Sequence, residues 1–264
     1  MIVELLILFS MGALAGTTAG LLGIGGGIII VPVLAMVFQQ QGVDISVLMH
    51  TSIGTSLATI VITSLSSTRA HHKHGAVQWQ VFRVITPGII IGGLLGSVIA
   101  RIIDGGLLRT LFIGFMFIVA FQFARGFATR PHRKLPGAVG MLGSGTVIGT
   151  VSSMMGIGGG SMSVPFLTWC NMSVRNAVAT SAAIGIPIAV AGATGYILNG
   201  WNAPMRPSWS LGFVNVPAFL GIVVASTLFA PIGARLAHKI PEKTLKRIFA
   251  LFLVIVGIRL ILTS

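Results

Sequence analysis

Two glycine clusters hold the chemistry that this sequence can perform. Gly23-Ile24-Gly25-Gly26-Gly27 leads through an apolar stretch to Val31-Pro32, and Gly156-Ile157-Gly158-Gly159-Gly160 leads in the same way to Val164-Pro165. A helix that starts afresh after such a cluster bares its first amides, which lack intrahelical acceptors and stand at the positive end of the helix dipole. That is anion-binding chemistry. The amides of Gly25, Gly26 and Gly27 and of Gly158, Gly159 and Gly160 are the expected ligands, because any Cβ there would hold an anion away and restrict the turn. Small hydroxyls can complete the shell without burying a charge. Thr55 and Ser56 match Thr180 and Ser181 on later helices, and Ser161 and Ser163 lie just after the second cluster. His50 and Arg175 match each other as well, and each could attract an anion or handle a proton, although Arg175 reads equally as an orientation charge.

Other patterns carry less. Neither cluster is a dinucleotide fingerprint, since the last required glycine falls at Ile28 in one and Ser161 in the other. Gly88, Gly92 and Gly96, four apart, read as a helix contact stripe. The run His71-His72-Lys73-His74 reads as a solvated basic loop with no acid or cysteine beside it, so no metal site is expected. Cys170 is the sole cysteine and reads as a small apolar residue. Trp79, Trp201 and Trp209 fall at span ends, as interface anchors do.

The elements that position these residues follow from composition. The chain has 264 residues, 54% apolar and 8% charged, with a mean hydropathy of +0.98. A soluble surface needs about 25% charged residues, so this is an integral membrane protein. Four acids, Glu4, Asp44, Asp104 and Glu242, exclude most carboxylate enzymes, and none lies in mid-span, which disfavours a carboxylate proton relay and a cationic substrate. No enzyme activity and no cofactor are expected. The net charge of +13 lies in short connectors, which points to membrane orientation and away from nucleic acid.

Apolar stretches long enough to cross a core ~30 Å thick run at 2–22, 47–68, 79–101, 107–125, 137–155, 176–198, 211–235 and 245–262. Residues 27–39 and 160–171 are apolar but too short, and each follows a glycine cluster. The expected fold is therefore all-α and polytopic, with about ten helical segments: eight full spans and two short broken or re-entrant ones. The clusters lie 133 positions apart (Gly23 to Gly156), Gly54-Thr55-Ser56 answers to Ala179-Thr180-Ser181 at 125, and Leu108-Arg109 to Leu245-Lys246 at 137. The chain reads as two copies of one module, 1–130 and 131–264. Five segments per copy force the second copy to be inverted across the bilayer. With the N-terminus outside, thirteen of the 17 basic residues fall on the cytoplasmic side, leaving Arg101, Arg109, Arg206 and Arg259 outside.

The doubled Gly-x-Gly-Gly-Gly…Val-Pro element resembles the sulfite exporter TauE/SafE family of membrane permeases, of the 4-toluene sulfonate uptake permease type. So does His50-x-x-x-Gly54-Thr55-Ser56-Leu57 leading into Arg69-x-His71-His72-x-x-Gly75-Ala76-Val77-x-Trp79. Gln78 stands where the family pattern often has Asp. The resemblance spans nearly the whole chain and implies transport of sulfite or another sulfur-containing anion across a bacterial inner membrane. Paired, glycine-interrupted segments place the site at the two breaks, in a carrier working by alternating access. The alternative is an anion channel of the same architecture. The expected partners are a small anion and the lipid bilayer, with assembly into a homo-oligomer left open.

Overall fold

The computed structural model describes residues 2–22, 26–125, 134–236 and 242–262. Its helices are α1 (Ile2–Leu22), α2 (Gly27–Gln40), α3 (Ile45–Lys73), α4 (Trp79–Ile102), α5 (Gly105–Arg125), α6 (Ala138–Met155), α7 (Gly160–Trp169), α8 (Val174–Gly200), α9 (Val216–Leu236) and α10 (Glu242–Leu262). The strands β1 (Ser210–Leu211) and β2 (Val214–Asn215) form a small antiparallel hairpin before α9. Among the described residues, α3, α4, α5, α6, α8 and α9 are long and apolar enough to cross a membrane. The chain is a polytopic all-α membrane protein.

Two boundaries differ from the sequence reading. α3 continues through Lys73, so His71, His72 and Lys73 form its last turn and not a loop. At 29 residues it is ~43 Å long, and the polar turn projects beyond the apolar layer. Residues 211–215 belong to the hairpin and not to a span. Gly212 turns there at φ 56°, and a Cβ on it would stand 2.1 Å from the Ile197 carbonyl oxygen. The Asn215 side chain then accepts from the Ala218 amide and caps α9.

α3 and α8 are the most buried spans and run antiparallel at the centre. Gly54 lies against Tyr196, Leu57 against Gly192 and Ser64 against Gly185. α4 runs alongside α6 in the same direction, with Gly88, Gly92 and Gly96 facing the carbonyls of Leu142, Thr146 and Thr150. A Cβ at those glycines would come within 2.1, 2.1 and 2.4 Å of the carbonyl oxygens, so the contact-stripe reading is correct. α9 packs on α1 in the same manner, with Gly12 beside Ile222, Gly16 beside Ser226 and Gly233 beside Thr17. α1 is thus paired along its length with α9, as α6 is with α4.

The short helices double back. Gly26 lies beside Ala15, whereas Val37 and Phe38 share a cavity wall with Leu8, so α2 returns toward the end at which α1 starts. α4 starts where α3 finishes, α6 follows the direction of α4, and α8 opposes α3. Hence α6 and α8 both start at the end where α3 finishes, and α7, joined to α8 by a tight turn, returns there. The two helical hairpins α1–α2 and α6–α7 enter from opposite ends. Described cations gather at the second of these ends, as Arg69, Lys73, Arg83, Lys134, Arg175 and Arg235. Arg101, Arg109, Arg206 and Arg259 lie at the other.

Candidate functional site

The two breaks have the same backbone. Gly26 and Gly159 are N-caps of α2 and α7 in the left-handed region, with φ/ψ of 76/−11° and 76/−17°. Their carbonyls accept from Ile29 and Ile30 in one case and from Met162 and Ser163 in the other. No side chain caps either helix, so the first amides of each, including those of Gly27, Gly160 and Ser161, have no intrahelical acceptor. Gly156 closes α6 at φ 68°. Gly25 lies outside the described residues.

The tips of the two hairpins touch. A Cβ on Gly27 would stand 2.2 Å from the Gly156 carbonyl oxygen and 3.0 Å from the Ile157 Cα, and one on Gly156 would stand 2.8 Å from Val31. Only glycine lets the two backbones approach so closely. Ser56 is buried and donates to the Gly156 carbonyl at 2.8 Å, fastening α3 to the second break. Thr55 and Thr180 hold matching backbone amides. Thr55 accepts from the Asn215 amide at 2.9 Å, just before α9, and Thr180 from the Gln78 amide at 3.0 Å, just before α4. Ser181 is buried on α8 with a partner of its own. These hydroxyls position the breaks and the helices beside them.

A second set of hydroxyls is buried and unengaged. Ser64, Ser152, Ser153, Ser161 and Ser163 have no hydrogen-bond partner and are at most 3% exposed. Ser64, Ser152, Ser161 and Ser163 lie on segments that meet at the second break, and Ser153 faces Gly192 and Gly96. Ser163 Oγ is 3.5 Å from where a Gly159 Cβ would be. Gly185 has the Ser64 hydroxyl and the Gly158 carbonyl on either side of its missing side chain, at 2.7 and 2.9 Å. Ser152 and Ser153 form the last turn of α6, and Ser161 opens α7. A buried hydroxyl without a partner costs free energy, and four of these five lie on segments that meet at one uncapped helix start, while Ser153 Oγ faces Gly192 of α8. Ser161 was expected in the site, and Ser163 was noted after the cluster. Ser64, Ser152 and Ser153 lie outside that reading, though comparing the surroundings of the two clusters residue by residue exposes two of these three. At the offset of 133, Ala19, Gly20, Ile28 and Ile30 stand where Ser152, Ser153, Ser161 and Ser163 stand in the second half.

His50 and Arg175 are separated from the breaks and from each other. His50 is buried in the second turn of α3, its Nε2 2.9 Å from the Ala100 carbonyl and its Nδ1 3.1 Å from that of Ser46. Its ring packs on Phe213 with centroids 5.2 Å apart. It staples α3 to the end of α4. Arg175 is exposed in the first turn of α8, at the cation-rich end, ten residues or ~15 Å from the Gly185 level. Among the described residues, two cavities open at the end that carries Arg101 and Arg206. One, of about 800 Å³, has Phe38, Gln41, Arg206 and Asn215 in its wall, and one of about 560 Å³ has His50, Arg101, Asp104 and Asn199. A third, of about 630 Å³, lies at the cation-rich end.

The whole chain has relatives. It matches the family described as Sulfite exporter TauE/SafE over residues 8–260. It is 37% identical to a probable membrane transporter protein of Haemophilus influenzae, over 98% of both chains. It is 27% identical to one of Methanocaldococcus jannaschii, over 97% of this chain and 95% of the other. With YdhB of Bacillus subtilis, also a probable membrane transporter protein, identity is 26% over 94% and 96%. No solved structure matches. A polytopic helical bundle with two glycine-broken hairpins meeting at their tips, matched from end to end by this family, belongs to the sulfite exporter TauE/SafE family of membrane transporters.

Proposed function

We propose that the protein is an alternating-access carrier of a small oxyanion, sulfite or an organosulfonate, held at the second break. The observation that carries this reading is the set of buried, unpartnered hydroxyls of Ser64, Ser152, Ser161 and Ser163 on the segments that meet at the uncapped start of α7. An oxyanion offers several strong acceptors in a small volume, which suits peptide amides and hydroxyls together. The amides of Gly158, Gly159 and Gly160 and the hydroxyl of Ser161 are its direct ligands. The matching amides of Gly26 and Gly27 at the first break lie on the opposite hairpin, whose tip touches the second break, and Thr55, Ser56, Thr180 and Ser181 hold the breaks in place. Binding by neutral donors leaves no fixed counter-ion to trap the anion.

The chain works as two inverted repeats, 1–130 and 131–264. The antiparallel α3 and α8, the exchanged pairings of α1 with α9 and α6 with α4, and the identical turns at Gly26 and Gly159 all support that symmetry. Hairpins entering from opposite ends and touching at their tips allow one repeat to rock on the other and open the site to one face at a time. The cation-rich end is cytoplasmic and the membrane is a bacterial-type inner membrane. Sulfite-loaded vesicles containing the purified protein should show saturable flux that is lost in Gly159→Val, with the variant still inserted. Unchanged flux in Gly159→Val would remove the site, and single-channel currents would replace the carrier by a channel.

A further inference from the structure

The cavity of about 630 Å³ at the cation-rich end is a crevice between α3 and α9. Its α3 wall runs Ile62, Leu65, Ser66, Arg69 and Lys73, and its α9 wall Thr227, Pro231 and Arg235, each set on one helix face at spacings of three or four. Polarity changes along its length. Ile62 and Leu65 lie toward mid-helix, while Arg69, Lys73 and Arg235 crown the helix ends. The eleven residue steps from Ile62 to Lys73 span ~16 Å. Among the described residues no acid lines it, and three like charges gather at its mouth. The Ser66 hydroxyl donates to the Thr227 carbonyl at 3.3 Å and closes the floor. Beside the crevice, Leu228 and Ile232 are 61% and 45% exposed, as lipid-facing residues are.

We infer that this crevice holds one anionic phospholipid, its phosphate on Arg69, Lys73 and Arg235 and an acyl chain along Ile62, Leu65 and Pro231. The volume exceeds what a free inorganic anion fills, and the polarity gradient parallels that of a lipid across its leaflet. Basic pockets between membrane helices on the positive side take such headgroups. The site is separate from the second break and independent of what is transported there.

The test is native mass spectrometry of the full chain purified from phosphatidylglycerol vesicles. The wild type should retain one phosphatidylglycerol. Arg69→Gln with Arg235→Gln should weaken retention about thirtyfold, at about fivefold for each cation removed. Arg83→Gln with Arg175→Gln removes the same charge from the same end outside the crevice and should retain the lipid. Leu65→Trp fills the apolar part, leaves every cation in place, and should also expel the lipid. Equal retention in the crevice and control pairs would overturn the inference, as would retention in Leu65→Trp. Displacement of the lipid by excess inorganic phosphate in neutral-lipid vesicles would assign the cations to a free anion and overturn it as well. Thermal unfolding of each variant confirms that lipid loss is not loss of fold.

Discussion

At Gly26 and at Gly159 the chain makes the same left-handed turn into an uncapped helix, yet the walls around the two turns have opposite chemistry. The last turn of α1 offers Ala19 and Gly20 and the first turn of α2 offers Ile28 and Ile30. The second break has Ser152, Ser153, Ser161 and Ser163 at those places. α3 brings Ser64 to the second break, and the matching α8 position is Ala189, fully buried. The backbone device is present at both breaks while the polar lining is present at one. Backbone symmetry serves the meeting of the hairpins, and the asymmetric lining concentrates binding at one tip. In a membrane interior such hydroxyls are retained against their cost, which under the proposed function makes the dry break the pivot and the wet one the site.

The largest effects should come from the shared device. A side chain at φ 76° is strained by about 1–3 kcal/mol. A Cβ would also stand 2.7 Å from the Ala15 carbonyl oxygen at Gly26 and 2.3 Å from Ile188 at Gly159. Gly26→Ala and Gly159→Ala should both lower the unfolding midpoint and both stop sulfite flux. If only one does so, the breaks are not equivalent as backbone.

The linings should then respond in opposite senses. Ser161→Ala with Ser163→Ala removes two hydroxyls that have no partner, so stability should hold or rise. The half-saturating sulfite concentration should rise about ten- to a hundredfold, the range for losing hydrogen bonds to a charged group. Ile28→Ser with Ile30→Ser should do the reverse, lowering stability by about 4–10 kcal/mol through loss of packing at two buried positions and burial of hydroxyls, with no gain in sulfite affinity. A loss of stability in the serine variant with unchanged flux would make those hydroxyls structural. The bonded Ser56 is the internal control. Ser56→Ala strands the Gly156 carbonyl and should cost about 1–3 kcal/mol.

Much of this was legible in the sequence, because hydropathy and glycine register strongly in lipid. The ten helices fall close to the stretches read from apolar runs, and the two clusters do break the chain at matching places. What escaped were features set by tertiary contact. Thr55, Ser56 and Thr180 look like ligands in a motif, but each bonds a backbone group brought from far along the chain. Ser64 looks like one hydroxyl among many on α3 until Gly185 and Gly158 are brought against it. The end of α3 was misread as a loop because hydropathy falls at Arg69 while helical hydrogen bonding continues to Lys73.

The smallest expected difference lies one connector beyond each hairpin. Asp44 caps α3 by accepting from the Ser46 amide at 2.9 Å, and Ser173 caps α8 by accepting from the Asn176 amide at 3.3 Å. Hydrogen bonds from the Ser46 hydroxyl and then its amide hold the Asp44 carboxyl below its ordinary pKa. A carboxyl lowered on folding stabilises the fold at pH values above its unfolded pKa, and that contribution fades as pH falls through the lower folded value. The first hairpin's connection to α3 should therefore loosen below about pH 4, and the second should not, since a serine cap does not titrate there. Hydrogen exchange at the Ser46 and Asn176 amides on acidification should show the contrast, and Asp44→Ser should abolish it. Equal acid response at both amides would mean that the two connectors are held by something other than their caps.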